Sequence, residues 1–293
     1  MKVLGERFKI KKIYENTYAI KDNGMEQVAV YMYLLVGEER ALLIDSGFGG
    51  LDLPNIIRTV TDKKVICVCS HGHIDHALGA YQFEEAYLHS ADFELFRQHS
   101  DPEMIRKCGY QGIGFALPKK LGNNPRYQEL IERLAAKPHR ELLPLDDVKA
   151  FNLGGRTVHW MRLPGHTQGS CVFWDENYNT VFDSDAAATG VWLFLPEASH
   201  ITEYRNNLTV YKRFLEENKV LRRYAGHMNK SAKAKRVQNL INCCDIVQLG
   251  KRNGKLLHMT LGDTRLVFAG GTIMFCKPED IIRRRDKDRS TQK

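Results

Sequence analysis

Ser70-His71-Gly72-His73-Ile74-Asp75-His76 is the stretch on which the reading of this chain turns. Three histidines and one aspartate fall within it, directly behind the apolar run Val65-Ile66-Cys67-Val68-Cys69. Imidazole is the commonest metal ligand near neutral pH, and a carboxylate adds a hard oxygen donor. Side chains alternate along an extended or turning backbone, so His71 and His73 share one side. Asp75 and His76 follow in the next turn, where they can address a second centre. A lone histidine would read as packing. Four donors at this spacing, behind a buried strand, read as a dense metal site at the strand's end.

Upstream, residues 8–14, 17–20, 28–36 and 41–45 read as strands, with Asn23-Gly24 and residues 37–40 as turns. Their long apolar runs suit a sheet covered on both faces. Asp45-Ser46-Gly47-Phe48-Gly49-Gly50 ends the last of them in a glycine-rich loop. The full dinucleotide fingerprint is absent. Asp45 therefore reads as a turn cap, or as an outer acceptor that orients a metal-ligating histidine. A helix follows over about 53–60, then the strand 65–69; beyond the histidine stretch, residues 77–86 read as a helix and 86–89 as a short strand.

Residues 90–140 break this rhythm. A helix over 90–99, a glycine- and aromatic-rich run over 107–125 and a helix over 127–136 read as a mostly helical insertion, a lid or a peripheral subdomain. His89 and His99 have no companions at ligand spacing and read as surface or packing histidines. Strands resume over 148–153 and 156–163, where His159 reads as structural. The turn Pro164-Gly165-His166-Thr167-Gln168-Gly169-Ser170 then fixes His166 at a strand end. A hairpin over 170–174 and 180–182 runs into Asp183-Ser184-Asp185. The apolar stretch 190–196 suits a substrate pocket, a buried edge or a homodimer contact. A helix over 203–217, a strand ending on Gly226-His227, a helix over 231–247 and a hairpin over 264–276 complete the chain.

The 293 residues, 43% hydrophobic and 27% charged, suffice for a globular protein with a sizeable core. Residues 1–280 read as one domain and 281–293 as a basic tail, with Arg and Lys interleaved by acids. The net charge of +8 is spread along the chain, which favours a small-molecule substrate, anionic ones included, over nucleic acid. Seven cysteines without zinc-finger spacing read as reduced thiols of a cytoplasmic protein. Residues 1–7 lack the apolar core of a signal peptide, and the longest apolar run, 28–36, is too short to span a bilayer, so no membrane partner is expected.

His166, Asp185 and His227 thus stand at three further strand ends. Five histidines and two aspartates suit two metal ions, each with three protein ligands, a shared carboxylate and an open position for water. Taken in order, Asp45-Ser46-Gly47, the histidine stretch, Pro164 to Ser170, Asp185 and Gly226-His227 resemble the metallo-β-lactamase-fold superfamily, over about residues 8–275. That resemblance implies an α/β fold, an αββα four-layer sandwich of two mixed sheets flanked by helices, with metals at one edge. It implies that His71, His73 and His166 hold one ion, that Asp75, His76 and His227 hold the other, that Asp185 bridges, and that Asp45 hydrogen-bonds a ligating histidine. One departure is Ser184, where the family usually has glycine before the bridging aspartate. The choice between Asp183 and Asp185 then falls on Asp185, because Val181-Phe182 aligns with the family's apolar strand.

The expected cofactors are two divalent ions, zinc first, with iron or manganese also suited to histidine and carboxylate ligands. They would generate a metal-bridging hydroxide, with Asp75 orienting the water and shuttling a proton. Within the superfamily, class B β-lactamases do not share the bridging aspartate. Flavodiiron reductases usually carry Glu where His73 stands, and quorum-quenching lactonases often carry Tyr where Ala188 stands. Glyoxalase II-like thioesterases share the ligand set. The expected function is hydrolysis of a small-molecule ester, thioester or lactone. A phosphodiesterase or ribonuclease of the same fold comes second, and an iron-dependent redox enzyme resembling persulfide dioxygenases third.

Overall fold

Val-Tyr-Met-Tyr-Leu-Leu-Val, residues 30–36, is buried at every position but the last. Alternation places successive side chains on opposite faces, so a strand buried throughout needs cover on both. In the computed structural model, which describes residues 8–280 apart from 24, 26, 114, 115, 139, 229, 230 and 251–254, this strand sits inside a seven-stranded sheet. The expected basic tail, 281–293, lies outside the described residues.

The sheet runs in chain order: β1 (Phe8–Tyr14), β2 (Thr17–Asp22), β3 (Val30–Val36), β4 (Arg40–Ile44), β5 (Lys64–Val68), β6 (Ala86–Leu88) and β7 (Leu143–Pro144). Pairing is antiparallel as far as β4 and parallel from β4 onward. The second sheet takes β8 (Ala150–Asn152), β9 (Thr157–Arg162), β10 (Cys171–Asp175) and β11 (Thr180–Phe182). After β12 (Val191–Leu193), which lies elsewhere, it also takes β13 (Arg222–Tyr224), in the order β13-β11-β10-β9-β8. Only β11 and β13 pair in parallel. Both sheets are therefore mixed. A third sheet joins β12 to β14 (Lys255–Met259), β15 (Gly262–Ala269) and β16 (Thr272–Cys276); β15 and β16 form the hairpin expected over 264–276, whereas their union with β12 and β14 was not expected.

Three apolar clusters stack these pieces into layers. Tyr33, Leu35, Ile44 and Val68 of the first sheet meet Phe151, Val158, Phe173 and Phe182 of the second. Met32, Leu34, Leu43 and Cys67 point the other way, onto Ile56 and Ile57 of α1 (Leu53–Arg58) and onto Phe83. Beyond the second sheet, Val172 and Val181 pack on a long helix and its partner. In the first of these, residues 201–217, Ile201, Tyr204, Leu208, Tyr211 and Leu215 recur every three or four positions and form one buried stripe. The third sheet adds Val191, Leu193, Val267 and Met274 to that outer layer. All seven cysteines are free and buried. No helix among the described residues is long and apolar enough to cross a membrane.

The remaining helices are α2 (Ile74–Ala77), α3 (Phe93–His99), α4 (Pro102–Gln111), α5 (Lys119–Gly122), α6 (Pro125–Ala135), α7 (Ile201–Glu217) and α8 (Val237–Gln248). Three local expectations change. The helix expected over 77–86 is only the end of α2 followed by a 3₁₀ turn, Leu78–Gln82, because the Gly79 amide is drawn off to the Gly47 carbonyl. The helix expected from 231 starts at Val237, because Ala232 exchanges both backbone hydrogen bonds with Arg223 and is held extended along the rim of β13. Residues 102–111, partly read as a glycine-rich loop, form α4, with Pro102 in the first turn and the Asp101 side chain capping it. In the 190–196 stretch, Val191–Leu193 is the edge strand of the third sheet.

Behind the strand ends lies a buried ion pair. The Arg223 Nε donates to Asp183 Oδ2 at 2.5 Å and its terminal nitrogen to the Ala187 carbonyl at 2.7 Å, while the Tyr211 hydroxyl donates to the same carboxylate at 3.1 Å. Asp183 and Arg223 are 1% and 3% exposed. Arg223→Ala strands this carboxylate in the core, and a broken buried pair costs on the order of 3–5 kcal/mol. Urea unfolding of the variant should show a loss of that size, and an unchanged midpoint would refute it.

Candidate metal centre

Parallel pairing gathers the polar strand ends at one edge. Ile44 lies opposite Val68, so Asp45 and Ser70 leave the first sheet side by side. Phe182 lies opposite Tyr224, so Ser184-Asp185 and Gly226-His227 leave the second sheet side by side. β9 is antiparallel to β10, and β10 to β11, so the His166 turn after β9 emerges at the same edge. The structure brings His71, His73, Asp75, His76, His166, Asp185 and His227 together there, all buried except for a partly open His227. Asp183, by contrast, turns away to Arg223.

Two three-donor sets stand out. One ligand atom from each of His71, His73 and His166 lies within 4.8 Å of the others, and the same holds for Asp75, His76 and His227. Asp185 Oδ2 reaches across both, at 3.1 Å from His227 Nε2, 3.6 Å from His76 Nε2 and 3.7 Å from His166 Nε2. Asp75 Oδ2 is 3.4 Å from His227 Nε2. The His227 side chain is 28% exposed, against 0% for His76, so the cluster opens to solvent on the His227 side.

Hydrogen bonds on the far side of the rings decide which nitrogen faces inward. His76 Nδ1 donates to Asp45 Oδ2 at 2.9 Å, His166 Nδ1 to the Trp192 carbonyl at 2.8 Å and His227 Nδ1 to the Ala29 carbonyl at 2.9 Å. An acceptor at Nδ1 fixes the proton there and leaves the Nε2 lone pair free for a cation. His71 Nε2, His166 Nε2 and Asp185 Oδ1 are buried with no hydrogen-bond partner. His76 Nε2 and His227 Nε2 face each other at 3.4 Å, a contact that needs a proton or a cation between them. Buried orphans of this kind are costly, and two divalent cations would satisfy them all. The donor set therefore fits divalent metal.

Two carboxylates organise the loops. Asp45, fully buried, accepts from the Ser70 amide at 2.7 Å, from His76, and from the Ser184 hydroxyl at 2.8 Å. Asp45 and Ser184 both have left-handed backbones, with φ of 64° and 42°. A glycine would adopt that conformation freely; the serine is strained there but supplies a hydroxyl to Asp45. Asp92 accepts from the Gly72 amide at 2.9 Å, the Gly169 amide at 2.6 Å and the Thr167 hydroxyl at 2.6 Å, and so ties the His71 loop to the His166 loop. A Cβ on Gly169 would lie 2.6 Å from Asp92 Cγ, and one on Gly226 would lie 2.5 Å from His76 Cε1.

Sequence reasoning missed Asp92, Glu197 and His99. Glu197 Oε1 lies 2.6 Å from His73 Nε2. His99, expected to be an ordinary surface or packing residue, stacks on His73 with ring centroids 4.9 Å apart. His89 accepts from the Ala91 amide and His159 pairs with Glu176, both apart from the cluster. Glu197 stands directly after the apolar stretch 190–196, with no ligand spacing to announce it.

Electrostatics separate the two sets in the metal-free protein. Burial, reinforced by His73, pushes His166 down to about 4. Burial and the facing imidazole of His76 hold His71 well below the usual histidine range. Burial acts the same way on His227, but the Asp185 carboxylate outweighs it and lifts the ring to about 9. Burial would raise Asp185; the His227 and His76 rings override it and hold the carboxyl well below the usual range. Imidazole NMR of the metal-free protein should therefore find His166 neutral above pH of about 4 and His227 protonated until about 9. Two rings titrating together near the unperturbed value of about 6.5 would refute this separation.

The model of the metallo-beta-lactamase superfamily matches residues 25–227. The acyl-coenzyme A thioesterase MBLAC2 of Gallus gallus is 24% identical over 207 residues, covering 68% of this chain and 72% of the relative. Its Homo sapiens counterpart is 22% identical over 210 residues, with the same coverage. Among solved structures, a metallo-beta-lactamase from Pontibacter korlensis superposes with a TM-score of 0.57 at 14% identity, covering 82% of this chain and 99% of that one. The chain belongs to the metallo-beta-lactamase superfamily, and it is a metal-dependent hydrolase of that family.

Proposed function

We propose that this protein hydrolyses a small-molecule thioester of the acyl-coenzyme A type at a dinuclear centre. His71, His73 and His166 would hold one divalent ion, Asp75, His76 and His227 the other, and Asp185 would contact both. The observation that carries the reading is Asp185, whose carboxylate reaches histidines of both sets. Zinc is the first choice for such nitrogen and oxygen donors, with iron and manganese as alternatives. Bound there, the ions would supply a nucleophilic water at neutral pH and polarise the acyl carbonyl.

The protein's own groups would do the rest. Asp75, beside the solvent-open His227, takes a proton as water oxygen adds to the acyl carbon, and returns it to sulfur as the C–S bond breaks. Asp45 keeps His76 in the tautomer that offers Nε2. The choice of thioester over ester or lactone is supported by the avian and human acyl-coenzyme A thioesterases that the chain resembles. The net charge of +8 suits a polyanionic leaving group. Seven free, buried thiols suit a reducing cytoplasm.

The test is a panel of acyl-coenzyme A thioesters, lactones and phosphodiesters, with thiol release read by a chromogenic disulfide. Metal-loaded protein should turn over thioesters fastest, lose activity to a chelator and regain it with zinc. Faster phosphodiester or lactone cleavage overturns the substrate assignment. His73→Ala should lose metal, by elemental analysis, together with turnover; a fully metallated, active variant overturns the ligand assignment.

A further inference from the structure

We infer that the chain carries a second ligand site, outside the histidine cluster, that takes a phosphorylated nucleoside. A cleft of about 660 Å³ opens between α1, the 3₁₀ turn Leu78–Gln82 and the end of α6. Small-molecule sites run from about 300 to 1,000 Å³ and are mostly apolar with a few polar groups. Here Leu51 and Ile56, both buried, supply apolar lining, and Arg133 and Lys137 supply two cations. Among the described residues neither cation meets a carboxylate. Lys137 Nζ instead lies over the Tyr81 ring, 5.3 Å from its centroid. Asp52, an acid that also lines the cleft, is spent as the cap of α1: it accepts from the Asn55 backbone amide at 3.2 Å and from the Asn55 side chain at 2.6 Å. Uncompensated positive charge thus stands beside an aromatic ring. Guanidinium and ammonium groups select phosphate, and an aromatic face selects a flat ring. No metal-ligand candidate lines the cleft, so the inference stands or falls apart from the thioester assignment.

The cleft also touches the turns that hold His76. Gly49 and Tyr81 line it together: the Tyr81 hydroxyl donates to the Gly49 carbonyl at 3.2 Å, and a Cβ on Gly49 would lie 3.2 Å from the ring. Gly49 has a φ of 76°, which glycine adopts freely. The turns that carry these two residues are cross-linked. The Gly79 amide donates to the Gly47 carbonyl at 3.2 Å, and the Ser46 amide and hydroxyl both donate to the His76 carbonyl, at 2.7 and 3.0 Å. Asp45, the preceding residue, accepts from the His76 ring. A ligand that presses on Gly49 or Tyr81 therefore bears on His76 through a short chain of hydrogen bonds. His166 is held instead by the Trp192 carbonyl, from a different segment. Occupancy of the cleft should accordingly reach His76 and spare His166.

The experiment is calorimetric titration of the full-length protein, with and without zinc, against adenosine monophosphate, coenzyme A, adenosine and inorganic phosphate, followed by imidazole NMR at saturation. Adenosine monophosphate should bind saturably, more tightly than adenosine or phosphate, and equally well with and without zinc. Arg133→Ala and Lys137→Ala should each weaken it by about 10-fold, the effect of losing a hydrogen bond to a charged group. Their melting temperatures should match wild type, since Arg133 is exposed and Lys137 half-buried. Saturation should move the His76 signals and leave those of His166 in place. Coenzyme A that competes with the nucleotide identifies the leaving group of the proposed reaction as a source of the ligand, and coenzyme A that does not compete assigns the site to a free nucleotide. The inference is overturned if no nucleotide binds, if the double variant binds as wild type does, or if phosphate binds as tightly as the nucleotide. Binding that requires zinc also overturns it, because the phosphate then sits on the metal. Binding that leaves His76 unmoved overturns the link between cleft and cluster.

Discussion

One buried carboxylate, Asp45, joins three strand ends. It accepts from the Ser70 amide after β5, the His76 ring on α2 and the Ser184 hydroxyl after β11. Ser70 follows a strand of the seven-stranded sheet, His76 sits on the helix after it, and Ser184 follows a strand of the five-stranded sheet. A carboxylate with no exposure is tolerable only when its oxygens are fully hydrogen-bonded. Its three donors must therefore arrive together, which fixes how the edges of the two sheets meet. The left-handed backbones at Asp45 and Ser184 fit this view, since local strain persists where surrounding contacts over-determine a position.

Asp92 does for the loops what Asp45 does for the strands. By accepting from Gly72, Gly169 and Thr167 it fastens two histidine-bearing turns that are far apart in sequence. The cluster is thus gripped from several sides by groups that never face its centre: two aspartates, one glutamate and two backbone carbonyls. Such outer contacts set ring orientation and tautomer, and with them which lone pairs a cation would meet.

The histidine stretch was legible because its chemistry is local: donors crowd together directly behind an apolar strand. The strands before and after it were legible for a similar reason, since their apolar runs are long. The third sheet was legible only in its β15–β16 hairpin. Its strand β12 is three residues long and pairs with β16, far along the chain, so no local pattern announces it. Asp92 has the residue type of a helix start, and the chain does form a 3₁₀ turn there; nothing nearby shows that its carboxylate leaves to cross-link two loops. His99 and Glu197 were passed over because a contact between lone residues, made by tertiary folding alone, has no spacing to read. The late start of α8 has the same origin, a backbone pairing of Ala232 with Arg223 that overrides local helix preference.

The spread of the donors along the chain has a consequence for biosynthesis. His71 to His76 emerge from the ribosome early, whereas His166, Asp185 and His227 follow only after β9, β11 and β13 have been made. A nascent chain that has completed only the first sheet presents a crowded, half-formed binding site. It holds only part of the donor set and cannot enclose a cation, because binding energy of this kind is realised only when the whole fold is in place. Metal capture is then a late event, gated by long-range pairings that are slow to form.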